Sequence, residues 1–383
     1  MADAALSDVA RGGRVVVEAV PGAGKTRLLV LATAGAPSLL LAYNNQLAAR
    51  LRGVVNPATT TCLTFHALCG RCLAPARDDA QLADAVHRAE DGSLVPHDVP
   101  AVERVLIDEA QDVRDVYVRL VRVLGLARPG MAMLVAGDRH QLIYDFDPAC
   151  PASLRTLDTP DAVFGGVWTR VCLEASHRLP APVAALVNAV FGTRIRAAHG
   201  GDRAVARVEV RAPRSMYAPL YDLLADALAD DDALVLVDRR YGNRTLRDLL
   251  NTHSRRGGRV AVHGLDDVEA GGAAGALQCG TYWSAKGLEA RTVVVLLPGA
   301  AARNPTYVAL TRATERLVLV LDPRDPHPAV CAAVRAVGED VVSVHDATTR
   351  RVLATGQARD PSVALQPRPR WTGGAARTGP RSV

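Results

Sequence analysis

A turn of small residues near the amino terminus carries the first side chains whose types and spacing could do chemistry. Residues 19–26, AVPGAGKT, follow an apolar run and precede a helix-like segment. Small residues let successive backbone N–H groups converge on phosphate oxygens, and the positive end of the following helix strengthens that attraction. Lys25 would reach the terminal phosphates, and the Thr26 hydroxyl would bind Mg²⁺. The predicted phosphate-binding residues are Pro21, Gly22, Ala23, Gly24, Lys25 and Thr26.

Two carboxylates, Asp108 and Glu109, end a second apolar run downstream of this turn. Taken alone, the first pattern could be a chance Lys-Thr in a strand–helix turn, and the second a solvated strand end. Together they predict a Mg²⁺-dependent NTP site, in which Asp108 holds the metal shell and Glu109 polarises the attacking water. The predicted metal ligands are therefore Thr26 and Asp108.

Short β-branched runs alternate with helix-like segments from end to end. That alternation is typical of parallel sheets covered by helices on both faces, so we predict an α/β fold. We place a P-loop domain at residues 1–150, with a small helical insertion at about 71–100, and a second domain at 165–350. A Pro- and Asp-rich stretch, 147–164, separates them, and residues 361–383 are predicted to be a disordered basic tail. The predicted strands are 15–17, 39–42, 59–63, 105–107 and 133–136, then 167–173, 205–210, 234–237, 260–262, 277–281, 293–296 and 317–321.

Composition limits the class of protein. A chain of 383 residues with 49% hydrophobic residues can form two ordinary α/β domains. The net charge of +5 fits a partner with a phosphate backbone, although arginines of the tail account for much of it. Cys69 and Cys72 form a CxxC without a second pair, so the cysteines are predicted to be buried thiols. Without a signal peptide or an apolar span of about 20 residues, we expect a soluble intracellular protein, cytoplasmic or nuclear.

Further segments resemble, in order, the motifs of the superfamily 1 helicases of the UvrD/PcrA/Rep group. Chance agreement over so many ordered segments is negligible. Residues 43–45 and 64–69 resemble TxN and TFHxLC, residues 135–144 resemble VGDxxQxIY, residues 173–178 resemble LExNYR, residues 281–289 match TxHSAKGLE with Trp283 in place of His, and residues 307–313 match YVALTRA.

The resemblance implies two tandem RecA-like domains with ATP and Mg²⁺ in the cleft between them. Gln141 would contact the γ-phosphate from the first domain, while Arg178 and Arg312 would reach it from the second. Two guanidinium groups suit a transition state whose charge spreads over the equatorial phosphate oxygens. Further nucleotide contacts implied by the resemblance are Arg27, His177, Gly287 and Glu289.

The same resemblance implies a track for single-stranded nucleic acid. The candidate stacking residues are Phe65, Tyr144 and Phe146, because the family has aromatic residues at these positions and stacking serves any base. Trp283, which replaces a family histidine, is a further candidate. Packing in the core is the alternative for each of these aromatic side chains. The polar candidates, which would contact the backbone of the strand or organise the loop, are Asn44 and His66.

The chain departs from the family at several points that bear on its function. The family's RGA after the third motif is Asp147-Pro148-Ala149 here, so an acid stands in place of a cationic contact. Residues 1–14 lack the glutamine that reads adenine, so selectivity for ATP over other NTPs is left open. His177 stands at the position of the family's adenine-stacking tyrosine. The accessory insertions, which grip duplex, are nearly absent. We therefore expect a monomeric two-domain motor core, with a protein partner in place of the missing insertions.

The activity implied by the resemblance is ATP-driven translocation on single-stranded nucleic acid, with 3′-to-5′ polarity and unwinding of duplex. The family favours single-stranded DNA, although stacking and phosphate contacts serve RNA equally. The alternative is a nucleotide-dependent clamp that binds strands or proteins with little unwinding. A P-loop kinase for a small molecule is disfavoured, because such an enzyme does not need the motifs of the second domain.

Overall fold

The computed structural model describes residues 1–143, 152–198, 207–213, 220–238, 242–263 and 276–355. The candidate stacking residues Tyr144 and Phe146 lie outside the described residues, and so does the predicted basic tail at 361–383. The described residues build two parallel sheets, each with helices packed on both faces.

Six strands form the first sheet, and all neighbouring pairs are parallel. The strands are β1 (Arg14–Ala19), β2 (Ser38–Ala42), β3 (Thr60–Thr64), β4 (Arg104–Ile107), β5 (Ala132–Gly137) and β6 (Trp168–Leu173). They lie in the order β3-β2-β4-β5-β1-β6. Because β4, β5 and β1 are neighbours, the segments that follow their carboxyl ends meet at one edge of the sheet.

Helices cover both faces of this sheet. The helices are α1 (Ala2–Ala10), α2 (Lys25–Ala32), α3 (Asn45–Arg52), α4 (Phe65–Cys72), α5 (Asp79–Glu90), α6 (Asp115–Val123), α7 (Ala152–Asp158) and α8 (Pro160–Phe164). Successive side chains of a strand point to opposite faces. Val15 and Val17 of β1 pack with α1, α2 and α3, whereas Val16 packs with α4, α5 and α6. The predicted small helical insertion corresponds to α5.

One predicted strand lies in a different sheet from the one expected. The run at 167–173, which the sequence places with the second series of strands, pairs in parallel with β1, from Arg14 opposite Trp168 to Ala19 opposite Leu173. The spacing of apolar residues indicates a strand but does not indicate its neighbour. The first sheet therefore has one more strand than predicted.

Seven strands form the second sheet, again all parallel. In chain order, two short strands come first, β7 (Ala175–Ser176) and β8 (Arg196–Ala197), which pair only with each other. The sheet itself consists of β9 (Arg207–Arg211), β10 (Ala233–Val237), β11 (Val260–His263), β12 (Leu277–Thr281), β13 (Ala290–Leu297), β14 (Ala313–Leu321) and β15 (Val342–Val344). Their order is β11-β12-β10-β13-β14-β9-β15.

Helices also pack on both faces of the second sheet. They are α9 (Ala181–Phe191), α10 (Leu220–Leu228), α11 (Gly242–Arg255), α12 (Arg303–Leu310), α13 (Pro328–Val337) and α14 (Ala347–Thr355). α9, α12 and α13 cover one face, and α10 and α11 cover the other. The predicted fold of two tandem RecA-like parallel-sheet domains is confirmed. The sequence missed β15, which has only three residues. Among the described residues, no helix is both long and apolar enough to cross a membrane.

Arg14, the first residue of β1, ties two loops of the first sheet to that strand. Its side chain is 8% exposed, and its guanidinium donates to the carbonyls of Phe164 and Gly165, both at 2.7 Å, and to those of Ala127 and Arg128 at 2.9 and 2.8 Å. The planar fork of arginine suits such a set of fixed acceptors.

We predict that Arg14→Ala lowers the free energy of unfolding by about 3 kcal/mol, because it leaves buried carbonyls without a charged donor. Urea denaturation followed by circular dichroism measures this. Arg11→Ala is the control, since the Arg11 side chain is 72% exposed and should change stability by less than about 0.5 kcal/mol. Equal losses of unfolding free energy in the two variants would contradict the stabilising role given to Arg14.

Candidate nucleotide site

The predicted phosphate-binding residues form one loop between β1 and α2. Gly22 and Gly24 have φ angles of 72° and 88°, which side chains other than glycine rarely adopt. Gly24 is the N-cap of α2, so Lys25 and Thr26 occupy its first turn. Backbone amides in a first helical turn lack intrahelical acceptors and are free to bind an anion. The loop therefore has the backbone geometry that phosphate binding requires.

The strand order brings acidic residues to this loop. Asp108 and Glu109 follow β4, and Asp138 follows β5, the strand between β4 and β1. Thr26 Oγ1 lies 3.5 Å from Asp108 Oδ2. The hydroxyl and the carboxylate predicted to serve one metal are thus adjacent.

These oxygens fit Mg²⁺. The ion prefers oxygen ligands and keeps several waters, so one carboxylate, one hydroxyl and the phosphates themselves can hold it. No cluster of three or more His, Cys, Asp or Glu side chains that could hold a metal occurs in the part of the chain that the structure describes.

Gln111, which the sequence reasoning missed, holds Glu109 in place. Glu109 has a left-handed backbone, with φ 50° and ψ 47°, and its carboxylate accepts a hydrogen bond from the Gln111 amide. The side-chain oxygen Oε1 of Gln111 accepts a hydrogen bond from the backbone N–H of Asp138 at 3.0 Å. A Cβ on Gly137 would lie 2.6 Å from that same carbonyl oxygen, so glycine is required at the end of β5. The sequence signal for Gln111 was its position in the segment DEAQD, two residues after Glu109.

Burial and neighbouring charges shift the pKa values of Asp108 and Glu109 in opposite directions. Burial raises the pKa of Asp108, and the adjacent charge of Glu109 adds to that increase. In Glu109 the same effect of burial is outweighed by the ammonium groups of Lys286 and Lys25, so its pKa falls below the ordinary value. Glu109 is therefore the more strongly anionic of the pair.

Lys286 reaches this acidic group from the second sheet. It lies in the loop after β12, and its side chain is 10% exposed. Its ammonium is ion-paired with Asp112, lies 3.6 Å from Glu109 Oε2 and donates to the Gln141 carbonyl at 3.2 Å. The prediction did not include Lys286 among the site residues, although it belongs to the matched segment 281–289. Only the packing of the two sheets reveals its partners.

Gln141 also lies where the two sheets meet. It is 4% exposed, and its amide donates to Asp138 Oδ2 at 2.8 Å. The hydroxyl of Tyr307, in the middle of α12, lies 3.4 Å from the same oxygen. Asn304 of the same helix donates to the Leu142 carbonyl at 2.8 Å. The segment after β5 is thus fixed against α12.

Arg178 lies close to the phosphate loop and is paired with Glu289. Its Nε atom is 2.7 Å from Glu289 Oε2, an ion pair without the alignment of a hydrogen bond. Gly287, between Lys286 and Glu289, has a φ of 87° and forms the turn that places both. Arg178 follows β6 of the first sheet and precedes α9, which packs on the second. It therefore lies at the crossing between the sheets, whereas the resemblance implied that it would reach the site from the second domain.

Arg312 is buried, with 1% of its surface exposed. Its guanidinium donates to the carbonyls of Val308 and Leu288 at 2.9 and 3.3 Å and to Thr311 Oγ1 at 3.0 Å. Burial and the nearby Arg178 lower the pKa of Arg312 to about 9, although Glu109 and Asp138 oppose that change. Two guanidinium groups and the carboxylates thus share one buried electrostatic environment.

The candidates for base and ribose contacts lie on the surface beside the loop. Arg27 and His177 are exposed. The backbone N–H of His177 donates to the Gly22 carbonyl at 2.9 Å, so the backbone of His177 lies next to the phosphate loop. These positions are compatible with the predicted contacts.

Phe65 is a core residue. It is 1% exposed and stacks on Tyr117 of α6, with ring centroids 4.5 Å apart and planes inclined by 7°. Both faces of the ring are enclosed in the apolar layer of α4 and α6, so it offers no face to a base. The predicted stacking role of Phe65 is therefore wrong, and the alternative of core packing holds.

The other described candidates for the nucleic-acid track organise loops. Asn44 caps α3, since its side chain accepts from the Leu47 amide at 2.8 Å. His66 Nε2 lies 3.2 Å from Asp79 Oδ1. The Trp283 indole is half-buried and donates to the Ile143 carbonyl at 3.1 Å, which links the loop after β12 to the segment after β5. Contact of Asn44, His66 or Trp283 with a strand stays a prediction.

Comparison with family models gives one match. A model described as an AAA domain matches residues 3–147, which include the phosphate loop, Asp108, Glu109 and Gln141. No curated protein sequence matches the chain.

Solved structures resemble the chain weakly and over most of its length. The crystal structure of arterivirus nonstructural protein 10, a helicase, is 17% identical with a TM-score of 0.40, over 86% of this chain and 64% of that one. Its complex with DNA is 16% identical with a TM-score of 0.41, over 83% and 63%. The PRRSV helicase is 16% identical with a TM-score of 0.44, over 84% and 55%. The chain thus spans between 55% and 64% of the length of these proteins.

Proposed function

We propose that the chain is an NTP hydrolase whose two parallel-sheet domains convert the binding and loss of a γ-phosphate into movement along single-stranded nucleic acid. The observation that carries this proposal is Lys286, a residue of the second sheet whose ammonium lies among the catalytic carboxylates of the first. The match of residues 3–147 to an AAA domain supports the nucleotide site. The ordered motifs of the sequence support the motor.

Each part of the site has a role in hydrolysis. Lys25 would hold the terminal phosphates, while Thr26 and Asp108 would hold Mg²⁺, which supplies charge neutralisation for the phosphates. Glu109, kept anionic by its cationic neighbours, would accept a proton from the attacking water. Gln111, which donates a hydrogen bond to the carboxylate of Glu109, would hold that carboxylate in place for this step.

Movement would arise because the cations of the site exchange carboxylate partners for the γ-phosphate and back. Arg178 and Lys286 are bound to carboxylates in this structure. A γ-phosphate offers stronger acceptors for them and for Arg312, because it carries more charge and more oxygens. Its loss returns Arg178 to Glu289 and returns Lys286 to Asp112 and Glu109. Since the carboxylates belong to both sheets, the exchange changes how the sheets pack.

The finer assignment concerns the track. We propose single-stranded DNA as the preferred polymer, with 3′-to-5′ polarity and poor unwinding by the chain alone. Opening a base-pair step costs about 1.4 kcal/mol of stacking, and a core without duplex-gripping insertions must wait for thermal fraying. ATP is the proposed nucleotide, although the exposed Arg27 and His177 give little basis for strict selection of the base.

Lys25→Ala should abolish NTP hydrolysis, because it removes the cation that contacts the terminal phosphates while leaving the core intact. Lys25 and Lys286 are the two lysines of the sequence. Acylation of amines followed by mass spectrometry therefore reports on this site, and Mg·ATP should protect Lys25. Arg11→Ala serves as the control. If Lys25→Ala keeps more than a few per cent of the turnover of the unaltered chain, the assignment of Lys25 to the phosphate site is contradicted.

Arg312→Ala and Arg178→Ala should each lower kcat by about 10³-fold while changing nucleotide affinity much less. Arginines that face the γ-phosphate stabilise charge that grows in the transition state. Steady-state kinetics and binding of a fluorescent ATP analogue separate the two quantities. A variant with normal kcat and weakened binding would identify its arginine as a ground-state contact.

Single-stranded oligonucleotides should stimulate hydrolysis strongly, and DNA should do so more than RNA of matched sequence. Displacement of streptavidin from either end of a labelled strand measures translocation, and strand displacement from 3′- or 5′-tailed duplexes measures polarity. Binding without stimulation would favour the alternative, a nucleotide-dependent clamp. Preference for a 5′ tail would overturn the proposed polarity.

A further inference from the structure

The chain passes from the first sheet to the second directly beside the phosphate loop. β6 pairs with β1 up to Leu173 opposite Ala19. The contact then continues past both strands, because the Val20 amide donates to the Leu173 carbonyl at 3.0 Å and the His177 amide donates to Gly22 at 2.9 Å. Residues 173–178 therefore run along the phosphate loop before α9 joins the core of the second sheet.

Ser176 is the centre of this contact. It is 1% exposed, and its hydroxyl donates to the Pro21 carbonyl at 2.7 Å. The same oxygen accepts from the amides of Leu179 at 2.9 Å and Arg178 at 3.3 Å. A serine hydroxyl has one donor hydrogen and two acceptor lone pairs, and all three are used. One side chain thus joins the phosphate loop to the backbone of Arg178.

The space around Gly22 shows how close this approach is. A Cβ on Gly22 would lie 2.4 Å from Arg178 Cβ, 2.9 Å from Ser176 Oγ and 3.0 Å from the Arg178 amide nitrogen. Only glycine permits such proximity, so the start of the Arg178 side chain is fixed relative to the loop. A displacement of either segment must displace the other.

We propose that Ser176 is a positioning residue that sets Arg178 against the phosphates bound by the same loop. This inference rests on the proposed function, since it assigns Arg178 to the γ-phosphate. It adds that the backbone of this arginine is placed by Pro21 and Gly22 of the loop, while its guanidinium pairs with Glu289 of the second sheet. The hydroxyl of Ser176 acts on the reaction only through Arg178.

The test compares two substitutions of the same shape. Ser176→Thr keeps the hydroxyl, whereas Ser176→Val replaces it by a methyl group. We expect kcat of Ser176→Val to be about 10- to 100-fold below that of Ser176→Thr, because all three hydrogen bonds of the buried hydroxyl are lost, with KM changed by less than about threefold. Ser38→Ala is the control: Ser38 is buried at the start of β2 and donates to the Ala36 carbonyl at 2.8 Å.

A double-mutant cycle distinguishes positioning from general support of the fold. In an Arg178→Ala background, the Val and Thr variants of Ser176 should have equal kcat, because the hydroxyl then has nothing to position. An equal drop in both backgrounds would overturn the proposal, and so would equal activity of the two variants with Arg178 present. A merely structural role would lower kcat irrespective of residue 178.

Hydrogen exchange provides a readout that needs no turnover. Ser176→Val should increase exchange of the amides in peptides spanning 19–26 and 175–179 relative to Ser176→Thr, while peptides from β2 stay unchanged. Unchanged exchange at both peptides would overturn the coupling itself. If the unaltered chain does not hydrolyse NTP, the proposed function fails, and the exchange experiment still decides whether Ser176 joins the two segments.

Discussion

A buried contact between charges of opposite sign, made by Lys286 with Asp112 and Glu109, underlies the arrangement of both sheets. Carboxylates removed from water are costly unless cations accompany them. The sequence places both carboxylates directly after β4, a strand of the first sheet, and brings the ammonium from the loop after β12. The two sheets must therefore pack closely at this edge, and nearby residues such as Gln141 and Tyr307 are fixed by the same approach.

The phosphate loop is held from a second direction by the chain that crosses between the sheets. Its carbonyls at Pro21 and Gly22 accept hydrogen bonds from Ser176 and His177. Lys25 lies near the acidic residues, since its positive charge favours the ionised forms of Asp108 and Glu109. In the proposed function, a shift of bound phosphate would be transmitted on one side to the carboxylates and on the other to the start of α9. Both connections end on the second sheet, although they leave the first at different strands.

The local features of the fold were predictable from sequence, and the errors come from contacts that the sequence does not encode locally. Apolar runs and small-residue turns predict most strands and the phosphate loop, because backbone geometry depends on neighbouring residues. The pairing of β6 with β1 depends on residues far apart in sequence, so its sheet was wrongly predicted. Phe65 occupies a motif position, yet its stacking on Tyr117 is decided by packing between helices. Ser176 and Lys286 likewise acquire their partners only when the sheets meet.

The pairing of its cations determines how this site can respond to a nucleotide. Arg178 is bound to Glu289 and Lys286 to Asp112, and a γ-phosphate must compete with both carboxylates. Such an exchange replaces one ionic partner by another, so its net free energy is small compared with that of either contact alone. Two packings of the sheets that differ little in free energy can be interconverted by one phosphate group, because a ligand shifts an equilibrium by its difference in affinity for the two states. Neutral residues at 112 and 289 would remove that competition. Which of the two packings of the sheets is favoured would then depend on the nucleotide alone.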